Sequence, residues 1–379
     1  MMAPVTPRRI AFLLPHFRTG GAERVVLHWI EALDPARWQP VLLLGRIDGD
    51  LLPHVPPHVT VAAIGGGRAL RRPVRIARAL AAHRIDVAYS ATSAMNLALL
   101  AAPTRVARIT SEHTPPDAFR RESKWPWLRR AATRLLTRRA AAVAVPTAAI
   151  GSAVRGAPVA LIRNPVLRTA PPPLGDKPAH GTHLVAAGRL VPAKGFDTLI
   201  DAAALLAAHG QSFTLAIHGD GPLRTTLQAQ IEDLHLGDRV TLAGHAARLA
   251  PLLADANLMV SSSRREGFGN ALIEAMAVGT PVLAARAGGP ETFIDDATNG
   301  FLVAPNDAPA LAEAIAVLLA DPARRLSVRA AARDTAARYT VAASVAEFTA
   351  LLDCVLASTP DSAARGQHRL NAKVTAPAP

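Results

Sequence analysis

Short, continuously apolar runs alternate with helical patterns along nearly the whole chain, and this alternation limits the possible folds more than any other feature of the sequence. In the first half, the apolar runs predict strands at Arg9–Pro15, Gln39–Gly45, Val59–Ile64, Val87–Ser90, Arg105–Thr110, Ala142–Val145 and Ala157–Ile162. In the second half, they predict strands at His183–Gly188, Phe213–His218, Val240–Ala243, Leu258–Ser262, Pro281–Ala284 and Gly300–Val303. Strands that are apolar throughout are typical of parallel sheets covered by helices on both faces. Because the alternation occurs twice, the sequence predicts an α/β protein with two Rossmann-like domains.

Amphipathic stretches between the strands predict helices at Ala22–Leu33, Pro73–Ala82, Phe196–Ala208, Leu223–Leu234, Asn270–Val278 and Ala308–Leu319, and one long helical run at Pro322–Val355. Prolines and glycines interrupt every periodicity between Asn164 and Gly181, so the domain boundary is expected there. We therefore expect an N-terminal domain over residues 1–168 and a C-terminal domain over residues 169–357. The last helix of the C-terminal domain could pack on the N-terminal domain. A disordered polar tail is expected over residues 358–379.

The charge of the chain is uneven. The net charge is +13, but residues 1–180 carry +16 and the remaining residues carry −3, so the first half is expected to attract anions. The single cysteine, Cys354, indicates a reducing compartment. The longest uncharged run, Val87–Thr104, contains several polar residues, and no signal peptide is evident. These features predict a cytoplasmic protein without a membrane span.

The most informative motif follows the predicted strand at Leu258–Ser262. Two carboxylates, Glu266 and Glu274, flank a glycine-containing turn and the start of a helix near Asn270. Gly267 and Gly269 allow a ligand to approach the backbone closely, and the first N–H groups of the helix are free donors. Acidic side chains at such an edge suit sugar and ribose hydroxyls.

Two further turns lie at the ends of predicted strands. Arg189 and Lys194 stand in the loop after the strand at His183–Gly188, where two cations suit a diphosphate, although exposed loop cations often have no ligand. Gly20 and Gly21 open the first helix, and a simple tight turn explains them equally well.

Several motifs, occurring in order, carry a resemblance to a known family. They are the Glu266/Glu274 element, the loop of residues 188–195, Gly219–Pro222, Gly279–Val282, Gly288–Pro290 and Asn299–Val303. Together they resemble the retaining glycosyltransferases of family 4. The segment Gly20–Arg24 is similar to the N-terminal motif of members that act in the synthesis of bacterial surface polysaccharides, such as lipopolysaccharide and exopolysaccharide.

The resemblance implies a GT-B fold, with two Rossmann-like domains facing an interdomain cleft. It implies that a hexose-type sugar is transferred from a UDP- or GDP-linked donor, bound mainly by the C-terminal domain, to a glycan or lipid-linked glycan bound mainly by the N-terminal domain. Arg189 and Lys194 would bind the donor diphosphate, Glu274 the ribose hydroxyls and Glu266 the sugar hydroxyls. The remaining donor-binding positions implied are Gly20, Gly21, Gly188, Gly267, Phe268, Gly269 and Asn270.

The family also has a histidine at its sugar site, which His113 resembles. A lone histidine is more often structural than catalytic, but the position of His113 in a loop after a strand leaves both interpretations open. The resemblance further implies retention of configuration with no divalent metal and no other cofactor. In one departure from the family pattern, Glu291 directly follows Pro290 and Thr292 takes the place where the family often has glutamate.

Basic residues crowd the segment Phe119–Arg139, which contains one acid. Its apolar and basic residues occupy opposite faces of a helix, which predicts either a membrane-surface helix attracted to anionic lipid or an ordinary helix packed on its own domain. We favour the membrane, and hence a peripheral position on the inner face of the plasma membrane. The residues assigned to this membrane or acceptor surface are Arg120, Arg121, Lys124, Trp125, Trp127, Arg129, Arg130 and Arg134.

Two rival functions use the same features. A nucleic-acid or anion-binding protein would explain the sequence isoelectric point near 11.2, but aromatic residues are only 4% of the chain and no nucleic-acid module is recognisable. A GT-B-fold nucleotide-sugar epimerase would use the same donor without an acceptor. We favour the glycosyltransferase and expect no nucleic-acid partner.

Overall fold

Two parallel β-sheets form the framework of the chain. The computed structural model describes residues 6–65, 72–113, 133–175 and 181–358. The first sheet has the order β3-β2-β1-β4-β5-β6-β7, with β1 (Arg8–Leu14), β2 (Trp38–Leu44), β3 (Thr60–Ala63), β4 (Val87–Ser90), β5 (Ala107–Ser111), β6 (Ala142–Val145) and β7 (Val159–Leu161). The second has the order β10-β9-β8-β11-β12-β13, with β8 (His183–Ala187), β9 (Thr214–His218), β10 (Val240–Gly244), β11 (Leu258–Ser261), β12 (Val282–Ala285) and β13 (Phe301–Val303).

The strand order has a functional consequence in both sheets. Each sheet winds outward in two directions from its first strand, so the order reverses between β1 and β4 and again between β8 and β11. In open α/β sheets, ligands bind at the carboxyl ends of the strands at such a reversal. The predicted fold class, a GT-B arrangement of two Rossmann-like sheets, is confirmed.

Helices cover the sheets. They are α1 (Gly21–Ala32), α2 (Arg72–Ala82), α3 (Ser93–Ala101), α4 (Ala148–Ala153), α5 (Phe196–Ala208), α6 (Arg224–Asp233), α7 (Ala250–Asp255), α8 (Asn270–Ala277), α9 (Ala308–Ala320), α10 (Pro322–Ser327), α11 (Arg329–Ala336) and α12 (Val341–Ala357). Six of them (α1, α2, α5, α6, α8 and α9) begin and end within one residue of the predicted positions, whereas α3, α4 and α7 were not predicted. Short 3-10 turns lie at Leu52–His54, Pro192–Lys194, Pro290–Thr292 and Ala337–Tyr339.

The prediction of one long helix at Pro322–Val355 is wrong, because the chain forms three helices there. Thr340 adopts an extended conformation (φ −80°, ψ 156°), and its side chain accepts a hydrogen bond from the backbone N–H of Ala343. The stretch before it pairs with the link between the two sheets: the N–H of Leu167 donates to the carbonyl of Tyr339, and the N–H of Val341 donates to the carbonyl of Leu167. Backbone pairing with a distant segment therefore ends the helix at a point that helical periodicity does not mark.

The last helix, α12, completes the core of the first sheet. Phe348 is fully buried and stacks on Trp29 of α1, with ring centroids 4.0 Å apart. The indole Nε1 of Trp29 donates to the hydroxyl of Ser344 at 2.9 Å, and Glu347 pairs with Arg163. Burying an aromatic side chain of this size contributes about 1.5–3 kcal/mol, so α12 is part of the N-terminal packing unit.

Most of the predicted membrane surface falls outside the described residues, namely Arg120, Arg121, Lys124, Trp125, Trp127, Arg129 and Arg130. Of this set, Arg134 is described; it lies in the helical turn of residues 133–137 and is exposed. Leu135 beside it is 65% exposed, whereas Leu136 packs on a small apolar cluster. Within the described ranges, none of the helices has both the length and the apolar character needed to cross a membrane.

Candidate active site

The loop after β8 is shaped by two glycines. Gly188 has φ +158°, and a Cβ there would lie 3.2 Å from the side chain of Lys194, which crosses over it. Gly195 is left-handed (φ +63°, ψ 29°). A Cβ at Gly195 would lie closer to the carbonyl oxygen of Ser262 than the 3.0 Å that real Cβ atoms keep. Glycine at position 195 therefore lets this loop lie directly against the turn after β11.

Arg264 ties the two loops together, a role that the sequence did not reveal. Its Nη2 donates to the carboxylate of Asp197 at 2.7 Å and its Nη1 to the carbonyl of Pro192 at 2.9 Å. Its backbone N–H donates to the carbonyl of Ala193. Burial alone would raise the pKa of Asp197, but the hydrogen bond and charge of Arg264 outweigh it and hold that pKa below its ordinary value. This arginine is thus committed to positioning the loops.

Lys194 and Glu266, predicted to share a site, form an ion pair between these loops. Their side chains are only 25% and 15% exposed, and the hydroxyl of Ser263 lies 3.4 Å from the same Glu266 oxygen. By contrast, Arg189 is exposed and has no ion pair or side-chain hydrogen bond in the described parts of the chain. The loop thus offers one neutralised cation and one available cation.

The start of α8 presents backbone donors. Gly269 precedes the helix in a left-handed conformation (φ +111°), and no side chain caps the first turn. The first N–H groups of a helix have no partner within it, so those at Asn270 point out of the helix end. Phe268, predicted to bind donor, is 5% exposed, with its ring packed on Phe293 and Tyr339, centroids 5.0 Å away in each case. A ligand at this turn would therefore reach the backbone of Phe268 and not its ring.

His113, two residues after the end of β5, lies against the loop of the second sheet that contains Gly267. A Cβ at Gly267 would lie 2.8 Å from the carbonyl oxygen of His113, so the two backbones are in close approach. The ring Nε2 of His113 is 2.7 Å from the hydroxyl of Ser111. Burial lowers the pKa of His113 to about 4, so the imidazole is neutral at pH 7.

Glu274 on α8 faces an arginine of α1 that was not predicted as a site residue. Burial raises the pKa of Glu274, and the positive charge of Arg24 opposes that increase. Arg24 is the last residue of the segment Gly20–Arg24, so this motif was the signal that could have identified it. At Gly21 an added Cβ would meet nothing within 4 Å, which leaves open space at the start of α1.

Comparisons with known families match both halves of the chain. The profile described as "Glycosyltransferase Family 4" matches residues 19–167, and the one described as "Glycosyl transferases group 1" matches residues 176–335. The chain belongs to the family 4 glycosyltransferases.

Curated relatives match one part of the chain. The lipopolysaccharide core biosynthesis glycosyltransferase LpsE of Rhizobium meliloti is 39% identical over 150 residues, 40% of this chain and 43% of LpsE. A GDP-mannose-dependent phosphatidylinositol monomannoside mannosyltransferase of Mycolicibacterium smegmatis is 39% identical over 170 residues, 42% of this chain and 43% of the relative. The chain thus spans less than half of the length of these relatives in the matched regions.

Solved structures match nearly the whole chain. HepE of Anabaena, determined in complex with UDP and glucose, aligns with a TM-score of 0.75 over 92% of this chain and 100% of HepE, at 23% identity. Sucrose-phosphate synthase of Thermosynechococcus elongatus aligns with a TM-score of 0.76 over 93% of this chain and 100% of that structure, at 22% identity. At these identities the likeness establishes the fold.

The departure from the family pattern at Glu291 has a structural solution. The carboxylate of Glu291 accepts a hydrogen bond from the backbone N–H of Gly288 at 2.8 Å, and the hydroxyl of Thr292 donates to the carbonyl of Gly289 at 2.6 Å. The turn beside Glu266 is therefore held by Glu291 itself, one position earlier than in many family members.

The acidic pair Asp48 and Asp50 lies in a D-x-D sequence after β2, a spacing that is able to bind metal. Asp48 pairs with Arg18 at 2.6 Å, and Asp50 accepts hydrogen bonds from the backbone N–H and the hydroxyl of Thr19. Both carboxylates thus fasten the loop after β1. Over residues 6–65, 72–113, 133–175 and 181–358, no group of three His, Cys, Asp or Glu side chains is arranged to hold a metal ion.

Proposed function

We propose that the protein is a retaining glycosyltransferase that moves a hexose-type sugar from a UDP- or GDP-linked donor to a glycan or lipid-linked glycan of the bacterial cell surface. The observation that carries this proposal is the Lys194–Glu266 ion pair, set beside the available cation of Arg189 and the open start of α8. The functions of two relatives agree with it: LpsE acts in lipopolysaccharide core biosynthesis, and the mannosyltransferase depends on GDP-mannose.

In this proposal the donor lies across the carboxyl edge of the second sheet. Arg189 and Lys194 bind the diphosphate, since a guanidinium fork and an ammonium both pair well with phosphate oxygens. Glu274 accepts hydrogen bonds from the ribose hydroxyls. Gly20 and Gly21 approach the diphosphate from α1, where the open space beside Gly21 leaves room for a ligand. The complex of HepE with UDP and glucose supports a ligand of this class.

The transfer needs no metal in this mechanism. The bond from the anomeric carbon to the diphosphate breaks, a bond to the acceptor oxygen forms on the same face, and the departing phosphate takes the acceptor's proton. Lys194, Arg189 and the N–H groups at Asn270 stabilise the negative charge that develops on the leaving group. Neutral His113 lies beside the transferred sugar and is able to donate or accept one hydrogen bond.

Glu266 is better suited to binding sugar hydroxyls than to acting as a nucleophile. Its carboxylate pairs with Lys194 and lies near the hydroxyl of Ser263, so its charge is already partly compensated. A compensated carboxylate is a weaker nucleophile but still accepts hydrogen bonds from hydroxyl groups.

The proposal includes a peripheral position on the inner face of the plasma membrane. In support, Leu135 is exposed between the exposed residues Arg134 and Arg138, a combination suited to an anionic lipid surface. Flotation with anionic liposomes tests it: binding should fall when Arg129, Arg130 and Arg134 are neutralised. Absent or unchanged binding would remove the membrane from the proposal.

A donor panel tests the activity. The purified protein is incubated with single UDP- and GDP-sugars in the presence of EDTA, and hydrolysis and thermal stabilisation are measured. One donor should stabilise the protein and be hydrolysed, and both effects should be lost in Lys194→Ala but kept in Arg248→Ala, which removes an exposed cation of the same half. Loss of activity in EDTA would contradict metal independence, and no response to any donor would contradict the proposed function.

The same assay separates the alternatives. An epimerase would convert the donor into a second nucleotide sugar instead of releasing the free sugar. A nucleic-acid-binding protein would bind DNA in a salt-sensitive manner, and it would be neither stabilised by any donor nor hydrolyse one.

A further inference from the structure

Ser111 is the last residue of β5, and its side chain is hydrogen-bonded to that of His113, two positions later. The hydroxyl oxygen of Ser111 lies 2.7 Å from Nε2 of the imidazole. Ser111 is 3% exposed, and the described residues offer Nδ1 of the same ring no partner. Since the imidazole is neutral at pH 7, one ring nitrogen carries the proton and the other is an acceptor. The direction of this hydrogen bond therefore decides what Nδ1 presents to a ligand.

The backbone at Ser111 is fixed by main-chain contacts on both sides. Nδ2 of Asn96, a residue 3% exposed, donates to the carbonyl of Ser111 at 2.8 Å. Oδ1 of Asn96 accepts from the hydroxyl of Ser90 at 2.6 Å, which fixes the amide in turn. The N–H of Glu112 donates to the carbonyl of Ala144 at 3.0 Å. The hydroxyl of Ser111 therefore takes no part in holding the end of the strand.

A buried phenol lies next to this hydroxyl. Tyr89 of β4 is fully buried and pairs with Ile109 of β5, so it shares a face of the sheet with Ser111, two residues further along β5. Burial raises the pKa of the Tyr89 phenol, and the hydroxyl of Ser111 opposes that increase. No other group in the described structure is hydrogen-bonded to the phenol oxygen. The phenol therefore keeps its proton, and Ser111 offers the oxygen toward which that proton can point.

The protons of these two hydroxyls have one arrangement that satisfies both. A buried O–H group that donates to nothing destabilises the folded protein, so each proton needs an acceptor. If Ser111 donated to Tyr89, the proton of the phenol would have no acceptor. If Tyr89 donates toward Ser111, the hydroxyl of Ser111 donates in turn to Nε2 of His113, and both protons have an acceptor. The proton of the ring is then on Nδ1.

We propose that Ser111 is a positioning residue that holds His113 as the tautomer with its proton on Nδ1, so that the ring offers the transferred sugar a hydrogen-bond donor. An N–H group binds an oxygen that accepts, such as that of a hydroxyl or an acylamino carbonyl, and disfavours a protonated amino group. The close approach of the His113 carbonyl to Gly267 places His113 beside the turn that contains Glu266. The inference rests on the proposed function and adds the polarity of one sugar contact.

Nuclear magnetic resonance of the ring tests the tautomer directly. The protein is produced with isotopically labelled histidine, and long-range proton–nitrogen correlation spectra show which nitrogen of His113 is protonated. The spectrum of His113→Ala identifies the signals. The wild-type protein and Ser111→Thr, which keeps the hydroxyl, should both carry the proton on Nδ1. In Ser111→Ala, Nε2 has lost its donor and should carry the proton in a large share of the molecules. A wild-type ring protonated on Nε2, or an unchanged tautomer in Ser111→Ala, would overturn the inference.

Donor hydrolysis shows whether the tautomer matters for the proposed reaction. With the donor identified by the panel above, Ser111→Ala should lower kcat/KM by about fivefold, the value of one hydrogen bond, and Ser111→Thr should not. In a His113→Ala background, Ser111→Ala should add no further loss, because Ser111 acts through the ring. Ser344→Ala is the matched control, since Ser344 is a fully buried serine whose hydroxyl donates to the carbonyl of Arg163. It should keep the wild-type tautomer and rate.

The two measurements fail in different ways. Equal losses from Ser111→Ala with and without His113 would show that Ser111 acts on the fold as a whole, and would overturn the inference. A chain that hydrolyses no donor would instead withdraw the proposed function, while the spectra would still show whether Ser111 sets the tautomer.

Discussion

Replacing Gly195 by alanine isolates the contact that joins the two loops of the candidate site. The left-handed backbone at this position costs an alanine about 1–2 kcal/mol, offset by about 0.4–1 kcal/mol because alanine also restricts the unfolded chain. In addition, the new Cβ overlaps the carbonyl oxygen of Ser262, and relieving such overpacking typically costs about 1–3 kcal/mol. We expect a total loss of about 2–4 kcal/mol in the free energy of unfolding.

The relief must separate the loop of Lys194 from the turn of Glu266, because the clash is with backbone on both sides. A displacement of 1 Å in a catalytic constellation is able to lower activity by roughly a hundredfold, so donor hydrolysis should fall by about that factor.

Gly210→Ala is the control, because Gly210 is also left-handed (φ +69°) but a Cβ there would meet nothing within 4 Å. Urea unfolding followed by circular dichroism, with donor hydrolysis in parallel, should give a loss of about 1 kcal/mol and normal activity for this control. Equal stability losses in the two variants, or normal hydrolysis in Gly195→Ala, would refute the reasoning.

Three further predictions concern the pair, the histidine and the last helix. Lys194→Met should lower the free energy of unfolding in urea by about 1–2 kcal/mol, because it leaves the largely buried carboxylate of Glu266 without its cation. Adding Glu266→Gln should recover part of that loss. A double variant no more stable than the single one would contradict this prediction. Burial lowers the pKa of His113 in the folded protein from 6.5 to about 4, so its neutral form stabilises the protein fully above pH 6.5 and this stabilisation is lost as the pH falls toward 4. The unfolding temperature of His113→Gln should therefore depend less on pH in this window than that of wild type. Parallel plots of unfolding temperature against pH for the two proteins would contradict this prediction. Phe348→Ala should lower the free energy of unfolding by about 3–5 kcal/mol, measured by the fluorescence of Trp29 during unfolding. A loss under 1 kcal/mol would mean that the first core does not need α12.

Much of the fold follows from sequence because a parallel strand covered on both faces must be apolar throughout. Strands such as Ile10–Leu14 and Val282–Ala285 have no polar alternation, and the structure buries them completely. The end of the helix before Thr340 could not be predicted from the pattern of apolar residues. It depends on backbone hydrogen bonds to Leu167, which lies more than 170 positions earlier and leaves no periodic signal.

The candidate site could likewise be predicted only in part from the sequence. The residue types at Lys194 and Glu266 are visible in the motifs, whereas their direct pairing links positions 72 apart. Sequence alone also treats Arg189 and Arg264 alike, as cations next to glycine-containing turns. Only the packing of the two loops distinguishes the available guanidinium of Arg189 from the guanidinium of Arg264, which is bound to Asp197.

The contribution of α12 to the first core has a consequence for the order in which the two halves fold during synthesis. The bond from Trp29 to Ser344 joins residues 315 positions apart, and Phe348 closes the same core four residues later. The strands of the second sheet, in contrast, lie without interruption between His183 and Val303. Because domains fold as their residues leave the ribosome, the half that is translated second is the first able to finish its core. Until α12 emerges, the earlier half lacks both the ring that stacks on Trp29 and the hydroxyl that accepts from its indole.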